Sequence, residues 1–356
     1  MAAYIVRRLL LMVPTLFGVM LVTFFVLQFV PGGPVERMIS LLEQDSHMGG
    51  SMGGGETAGG SSFSSYRGSK GLDPEQIEML QKLYGFDKPA HERFFIMLSN
   101  YIRFDFGDSY YHHRRVVDLV IDKLPVSISL GMWTFFITYL VSIPLGIRKA
   151  VRHGSRFDTV TSTLILAGYS IPGFVLGVLL IVLFGGGSFW DLFPMRGIVS
   201  DGWEALSWPA KIADYLWHMV LPITASVIGS FAIMTMLTKN SFLEEISKQY
   251  VLTARAKGLS EQGVLYRHVF RNAMIPLVTG FPSSFVSAFF SGSLLIETIF
   301  SLDGLGLLGY ESVINRDYPV VMATLYFYTL LGLLTKLLTD LTYVWVDPRI
   351  TFDEAQ

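Results

Sequence analysis

The sequence predicts an all-α polytopic membrane protein with six transmembrane helices and a helical periplasmic insertion between the first two. Three observations predict it. Hydrophobic residues make up 51% of the 356 and charged residues only 16%, against about a quarter charged in a typical soluble domain. Mean hydropathy is +0.47. Long stretches free of Asp, Glu, Lys and Arg recur six times, and the basic residues between them gather on one side.

The first stretch is Leu9 to Val30. It follows Arg7 and Arg8 as a signal peptide would, but it is too long for a signal h-region and no A-x-A site follows, so it reads as a retained anchor. The second is Pro125 to Ile147. The third is Thr159 to Trp190, with a Gly-rich exit at Gly185-Gly186-Gly187. The fourth is Tyr215 to Thr238, the fifth Asn272 to Ile296, and the sixth Tyr318 to Thr335, apolar onward to Val346. Each reaches the roughly 18–20 residues that a helix needs to cross about 30 Å of hydrocarbon.

Orientation follows from Lys and Arg. With the N-terminus inside, the short cytoplasmic segments hold 13 of them and the two short outer loops hold three, Arg196, Lys211 and Arg316. That ratio places both termini in the cytoplasm. The chain then divides into residues 1–30 (tail and first span), 31–124 (periplasmic segment), 125–346 (spans two to six, with a cytoplasmic loop at 239–274) and 347–356 (C-terminal tail). Within the periplasmic segment, 48–65 is a Gly/Ser-rich loop. Asp73-Pro74-Glu75 starts one helix, with Pro and acids in the first turn. A second amphipathic helix is expected from Pro89 to Ile102. The segment is a cap that meets an external partner or a lid over the helix ends.

Composition also excludes functions. The net charge is −2, which lacks the basic excess of a nucleic-acid binder. There is no cysteine, so disulfides, thiolate metal sites and thiol nucleophiles are absent. No G-x-x-x-x-G-K-[ST] phosphate loop occurs, so this chain binds no ATP in that manner. No metal cluster and no nucleophile–base pair stands out, and no catalytic residue is expected.

The loop Gln249 to Pro276 carries most information. A helix-friendly run, Tyr250 to Lys257, stops at Gly258. Ser260 is a plausible N-cap for a second helix, with Gly263 as its weak point. That helix puts Val264, Leu265, Val269 and Phe270 on one side and Arg267 and Arg271 on another. Two short helices set at an angle by a glycine make a compact knob on the inner face.

This loop resembles the EAA-type loop of ABC importer permeases. Ala254 and Gly258 match, with Tyr250, Thr253, Arg255, Ala256, Lys257 and Leu259 beside them. The family's leading Glu is not present, and the spacing from Gly258 to Pro276 fits the peptide branch. The chain also resembles the B-type permeases of dipeptide and oligopeptide importers over nearly its whole length. The matching stretches include YIVRRLLLMVPTLFGV (4–19), YGFDKPAHERF (84–94), RFDFGDSY (103–110), SIPGFVLGVLL (170–180), SGSLLIETIFSLDGLGLLGYES (291–312), RDYP (316–319) and DPRI (347–350). The Gly/Ser insert, YRGSKGLDPE, SIPLGIRKAV and MLTKNSFLEE resemble one branch associated with peptide and microcin C uptake.

The resemblance implies a type I ABC importer permease whose loop docks on an ATPase. Its partners would be a second homologous permease subunit, two ATPase subunits or one fused double ATPase, and a periplasmic peptide-binding protein. ATP and Mg²⁺ would bind at the ATPase and no cofactor at this chain. The cargo would be oligopeptides or peptide-like compounds, with a nickel chelate or another small solute as the alternative.

Further candidates come from the residues. Small hydroxyl-bearing residues recur along span five, so Ser283, Ser284, Ser287 and Ser291 are the expected translocation path. Pro172 and Pro282, within spans and beside small residues, are candidate flex points. Lys336 and Asp340 lie four apart inside span six and are expected to pair. Glu297 ends span five and either orders an outer gate or sits at headgroup level. His218 is expected at the outer boundary of span four. A rival class, an ion-coupled secondary transporter, would use Glu297, Lys336 and Asp340 as a proton relay. Another, a membrane receptor, leaves the inner knob without a purpose.

Overall fold

The computed structural model describes residues 2–30, 78, 82, 87–185, 189–290 and 293–346. The Gly/Ser-rich stretch, the helix start at Asp73 and the C-terminal tail lie outside the described residues. Among the described residues the structure is helical, with one isolated bridge between Asp108 and Arg115.

Four helices are long and apolar enough to cross a membrane. They are α1 (Ala2–Phe29), α3 (Val116–Val151), α6 (Trp208–Ile246) and α13 (Tyr318–Val346). Between the first two, α2 (Ala90–Ile102) starts one residue after the expected Pro89, which is its N-cap. α3 and α6 run 36 and 39 residues, about 54 and 58 Å at 1.5 Å per residue. Both exceed the hydrocarbon thickness and project beyond it.

The third expected span is broken. α4 (Arg156–Tyr169) and α5 (Gly173–Phe184) meet at 93°. Ser155 caps α4, accepting the Asp158 N–H at 3.3 Å. The break falls at Ser170-Ile171-Pro172. Proline has no N–H for the carbonyl one turn back and pushes the preceding residue out of the helical region. Ile171 instead donates to Gly168 O at 3.2 Å. Together the bent pair brings the candidate spans to five.

The fifth expected span is interrupted as well. α10 (Ile275–Phe290) has an apolar stretch too short to cross alone, and the helix resumes as α11 (Leu294–Ile299). Between α6 and α10 lie α7 (Gln249–Ala256), α8 (Glu261–Val264), a π-turn (Leu265–Val269) and α9 (Phe270–Ala273). α12 (Leu305–Ile314) precedes α13.

The chain divides into two compact units. One comprises Met1–Met12, Ile121–Leu308 and Leu330–Gln356. Its apolar core joins Val126 and Leu130 of α3, Met219 to Ala225 of α6, and Ile296, Phe300 and Leu302. A second cluster in the same unit underlies the hairpin from α7 to α9. The other unit comprises Val13–Val120 and Gly309–Thr329. There the Phe94 ring of α2 lies 5.6 Å from Phe17 and 5.3 Å from Phe24 of α1. Tyr101, Phe106 and Tyr326 form an edge-packed aromatic group, and burial pushes the Tyr101 hydroxyl pKa upward. The buried Asp317 carboxylate accepts the Ser109 hydroxyl and the backbone N–H of Tyr110 at 3.0 Å, which ties the 103–115 loop down.

Candidate functional site

The hairpin from α7 to α9 is built on a glycine turn. Gly258 has φ +82°, a left-handed conformation that costs an ordinary residue about 1–2 kcal/mol. Its N–H bonds Arg255 O at 2.9 Å, and Leu259 N–H reaches back to Ala254 O at 3.4 Å. These two bonds are the Schellman closure, and they satisfy carbonyls that the helix end leaves open. Two residues on, Ser260 caps α8 by accepting the Gly263 N–H at 3.2 Å. Across the turn, Arg255 forks onto both carboxylate oxygens of Glu261 at 2.9 and 3.0 Å.

The hairpin has an apolar base and a polar face. Val251, Ala254, Val264, Val269 and Ala273 are buried against Ala150 and Phe242. Leu265 and Phe270 flank that cluster, so the side anticipated from periodicity does face the core. Thr253, Arg255, Ala256, Lys257 and Gly258 stand exposed, while Tyr250 and Leu259 are half-buried. Ala254 is not on the outer face; it belongs to the foundation. Leu252 and Tyr266 are exposed apolar side chains on the hairpin that the motif did not single out. Tyr250 donates its hydroxyl to Glu245 at 2.6 Å and accepts from Asn272 at 3.3 Å. Burial, aided by the Glu245 carboxylate, raises its pKa.

Beside this base sits a buried ion network that sequence reasoning missed. Lys149 is fully buried and bonds Asp158 O, Thr161 and Ser162 at 3.0, 2.7 and 2.8 Å. Lys239 reaches both Asp158 oxygens at 2.7 and 2.8 Å. One carboxylate thus joins α3, α4 and α6. In the sequence, Lys149 and Lys239 stand out only as charges flanking apolar stretches, and nothing in their spacing marks a shared partner.

Deeper in the same unit, a cavity of about 750 Å³ lies between α3, the α4–α5 break, α6 and α10. Ser283, Ser284 and Ser287 all line it, which brings the expected path residues together; Ser291 lies outside the described residues. Pro172 lines it as well, so the break in the third span opens onto this space. Among the described residues, no Asp, Glu, Lys, Arg or His lines the cavity. At one edge α3 and α10 approach so closely that a Cβ on Gly131 would lie 1.6 Å from Ala288 O.

The ionisable candidates resolve differently from expectation. Lys336 and Asp340 do not pair. Asp340 instead bonds the Tyr4 hydroxyl at 2.8 Å and Arg8 at 2.8 Å, and Lys336 is exposed. A planar guanidinium, itself aligned on Tyr4, out-competes a flexible ammonium on the same helix. Glu297 is fully buried and accepts the N–H groups of Ser293 and Leu307 at 3.1 and 2.7 Å. It therefore pins α11 to the start of α12. His218 is also buried, with Nδ1 2.9 Å from Asp214 O. Glu297, Lys336 and Asp340 thus share no hydrogen-bond chain among the described residues, and the proton-relay reading has no geometry to rest on.

A family model described as binding-protein-dependent transport system inner membrane component matches residues 142–352. The chain is 59% identical to the peptidoglycan transport system permease protein YejB of Agrobacterium fabrum, covering 99% of both. It is 56% identical to the inner membrane ABC transporter permease protein YejB of Escherichia coli O157:H7, over 99% of this chain and 100% of that one. The dipeptide transport system permease protein DppB of Lactococcus lactis is 31% identical over 98% of this chain and 99% of its own.

Proposed function

The chain belongs to the binding-protein-dependent transport system inner membrane component family, and on that premise we propose that it is the membrane-spanning permease subunit of an ATP-driven peptide importer. Relatives are named for dipeptide and for peptidoglycan transport. Short peptides are the chemistry the two names share, so the cargo we assign is peptides, including those released from peptidoglycan.

The observation that carries the reading is the hairpin around Gly258. It is short, closed at both helix ends and seated on a buried core, yet it presents a polar face. Such a body transmits displacement without deforming, because packed cores shift between discrete arrangements. ATP binds with Mg²⁺ at separate ATPase subunits, two chains or one fused double chain, which grip this face. Their closure draws this hairpin and that of a second, homologous permease together, and the spans rock between outward and inward access. A periplasmic peptide-binding protein delivers cargo, which crosses beside Ser283, Ser284 and Ser287.

This reading takes α10 and α11 together as the fifth span and the bent α4–α5 pair as the third, giving six. The 13-to-3 distribution of basic residues puts both termini in the cytoplasm and the 31–124 segment outside. Catalysis belongs to the partner ATPase.

Two measurements test it together. Tagged chain purified from native membranes should bring down an ATPase subunit, and its absence would end the importer reading. Gly258→Trp, which inserts normally, should abolish peptide uptake; full uptake in that variant would reject docking through this face.

A further inference from the structure

We propose that the α3–α4 turn binds the headgroup of an anionic phospholipid through Arg148, Arg152 and Arg156. Between residues 141 and 170 the chain carries four Lys or Arg and a single acid, Asp158. That acid is already taken. Lys239 meets both its oxygens at 2.7 and 2.8 Å, and Lys149 stands 3.2 Å away. The Gly154 N–H and the His153 ring also reach it, at 3.2 and 3.3 Å. The three arginines are exposed, and among the described residues none of them meets a carboxylate.

The turn gathers them. Gly154, at φ +73°, reverses the chain, and the Ser155 N–H closes on Arg152 O at 3.1 Å. Arg148 lies in the last turn of α3, Arg152 just past its end, and Arg156 opens α4. The Arg148 guanidinium sits 5.0 Å from the centre of the Phe157 ring, over the first turn of α4. Below the arginines the surface is apolar and faces outward. Phe136, Leu140 and Pro144 precede Arg148 and Arg152 at every fourth position of α3, and all five are exposed. Val160 and Leu164 follow Arg156 at the same interval on α4, and they are exposed as well. None of these apolar residues lines the cavity. Because α3 is long and apolar enough to cross a membrane, its outward apolar row meets acyl chains and its basic end meets headgroups.

A basic flank that only orients a helix needs charge and nothing more. Here the cations are sorted by type. The two lysines go to Asp158, and the three side chains left open are arginines, whose planar fork takes two phosphate oxygens at once. A phosphatidylcholine headgroup carries its own ammonium beside the phosphate. Three guanidiniums with no acid left to balance them favour a phosphate without one, as in phosphatidylglycerol.

The test takes the full-length chain, purified from native membranes with whatever partners it holds, into mixed micelles of neutral detergent with equal amounts of phosphatidylglycerol and phosphatidylcholine. The lipids that co-elute with the protein are then counted by mass spectrometry. Wild type should retain several-fold more phosphatidylglycerol than phosphatidylcholine. Arg148→Gln, Arg152→Gln and Arg156→Gln should each weaken phosphatidylglycerol binding about fivefold and leave phosphatidylcholine binding as it was. Equal retention of the two lipids by wild type overturns the site, however the variants fold, and is the result expected if a protein partner covers the turn instead. Unchanged phosphatidylglycerol binding in the triple glutamine variant overturns it too. So does an equal loss in Arg267→Gln combined with Arg271→Gln, which marks a general basic surface. Full displacement of phosphatidylglycerol by glycerol 3-phosphate would make the ligand a free phosphate and reject the lipid.

Discussion

Asp158 holds two lysines, one of them fully buried. Removing one partner of a buried pair leaves a charge stranded, at a cost of about 3–5 kcal/mol. Asp158→Ala should therefore lower the thermal midpoint of the solubilised protein sharply. Asp158→Ala combined with Lys149→Met and Lys239→Met should recover much of that loss, since the stranded charges go too. A triple variant no more stable than the single one would reject a stabilising role for the network. At this scale the sequence was legible only where partners are local. Ser283, Ser284 and Ser287 lie within five residues of one another, and helical spacing alone brings them to one wall. Asp340 misled because spacing sees Lys336, four residues away, and is blind to Arg8 at the other end of the chain. The bond from Leu307 N–H to Glu297 is likewise beyond helical spacing, since it needs α12 to fold back over α11.

Among the elements, α3 and α10 cross at the point where Gly131 meets Ala288. The hydrogen of glycine is what permits that approach. Gly131→Val would force the helices apart, and overpacking of this kind costs about 1–3 kcal/mol or more. The variant should insert but lose thermal stability and uptake together; unchanged uptake would show that the crossing tolerates separation. The long helices were readable because an uninterrupted apolar run has one solution in lipid. The breaks were not. Pro172 marks a flex point locally, but not the 93° angle of the turn or the close approach of Gly173 to Ala225 O of α6. The hairpin was readable in outline because Gly258 and Ser260 are local signals. Its π-turn and the Arg255–Glu261 fork were not, since neither follows from periodicity.

For the whole molecule, the informative tie is Tyr4–Arg8–Asp340, which joins the first helix to the last. An exposed ion pair contributes about 0–1 kcal/mol in water, and a partly buried one such as this contributes more where solvent is excluded. Arg8→Ala and Asp340→Ala should each weaken the protein, and the double variant should lose less than their sum in a mutant cycle. Strict additivity would mean that the two side chains do not act on each other. A multi-pass helical protein was readable from the whole sequence, because lipid thickness acts on every segment alike.

That same tie has a meaning for biogenesis. Ribosomes deliver α1 to the bilayer hundreds of residues before α13 exists, so a cationic arginine near the start of the first helix waits throughout synthesis for an acid that arrives last. A nascent chain that stalls before residue 340 leaves that arginine without the acid that holds it in the finished molecule.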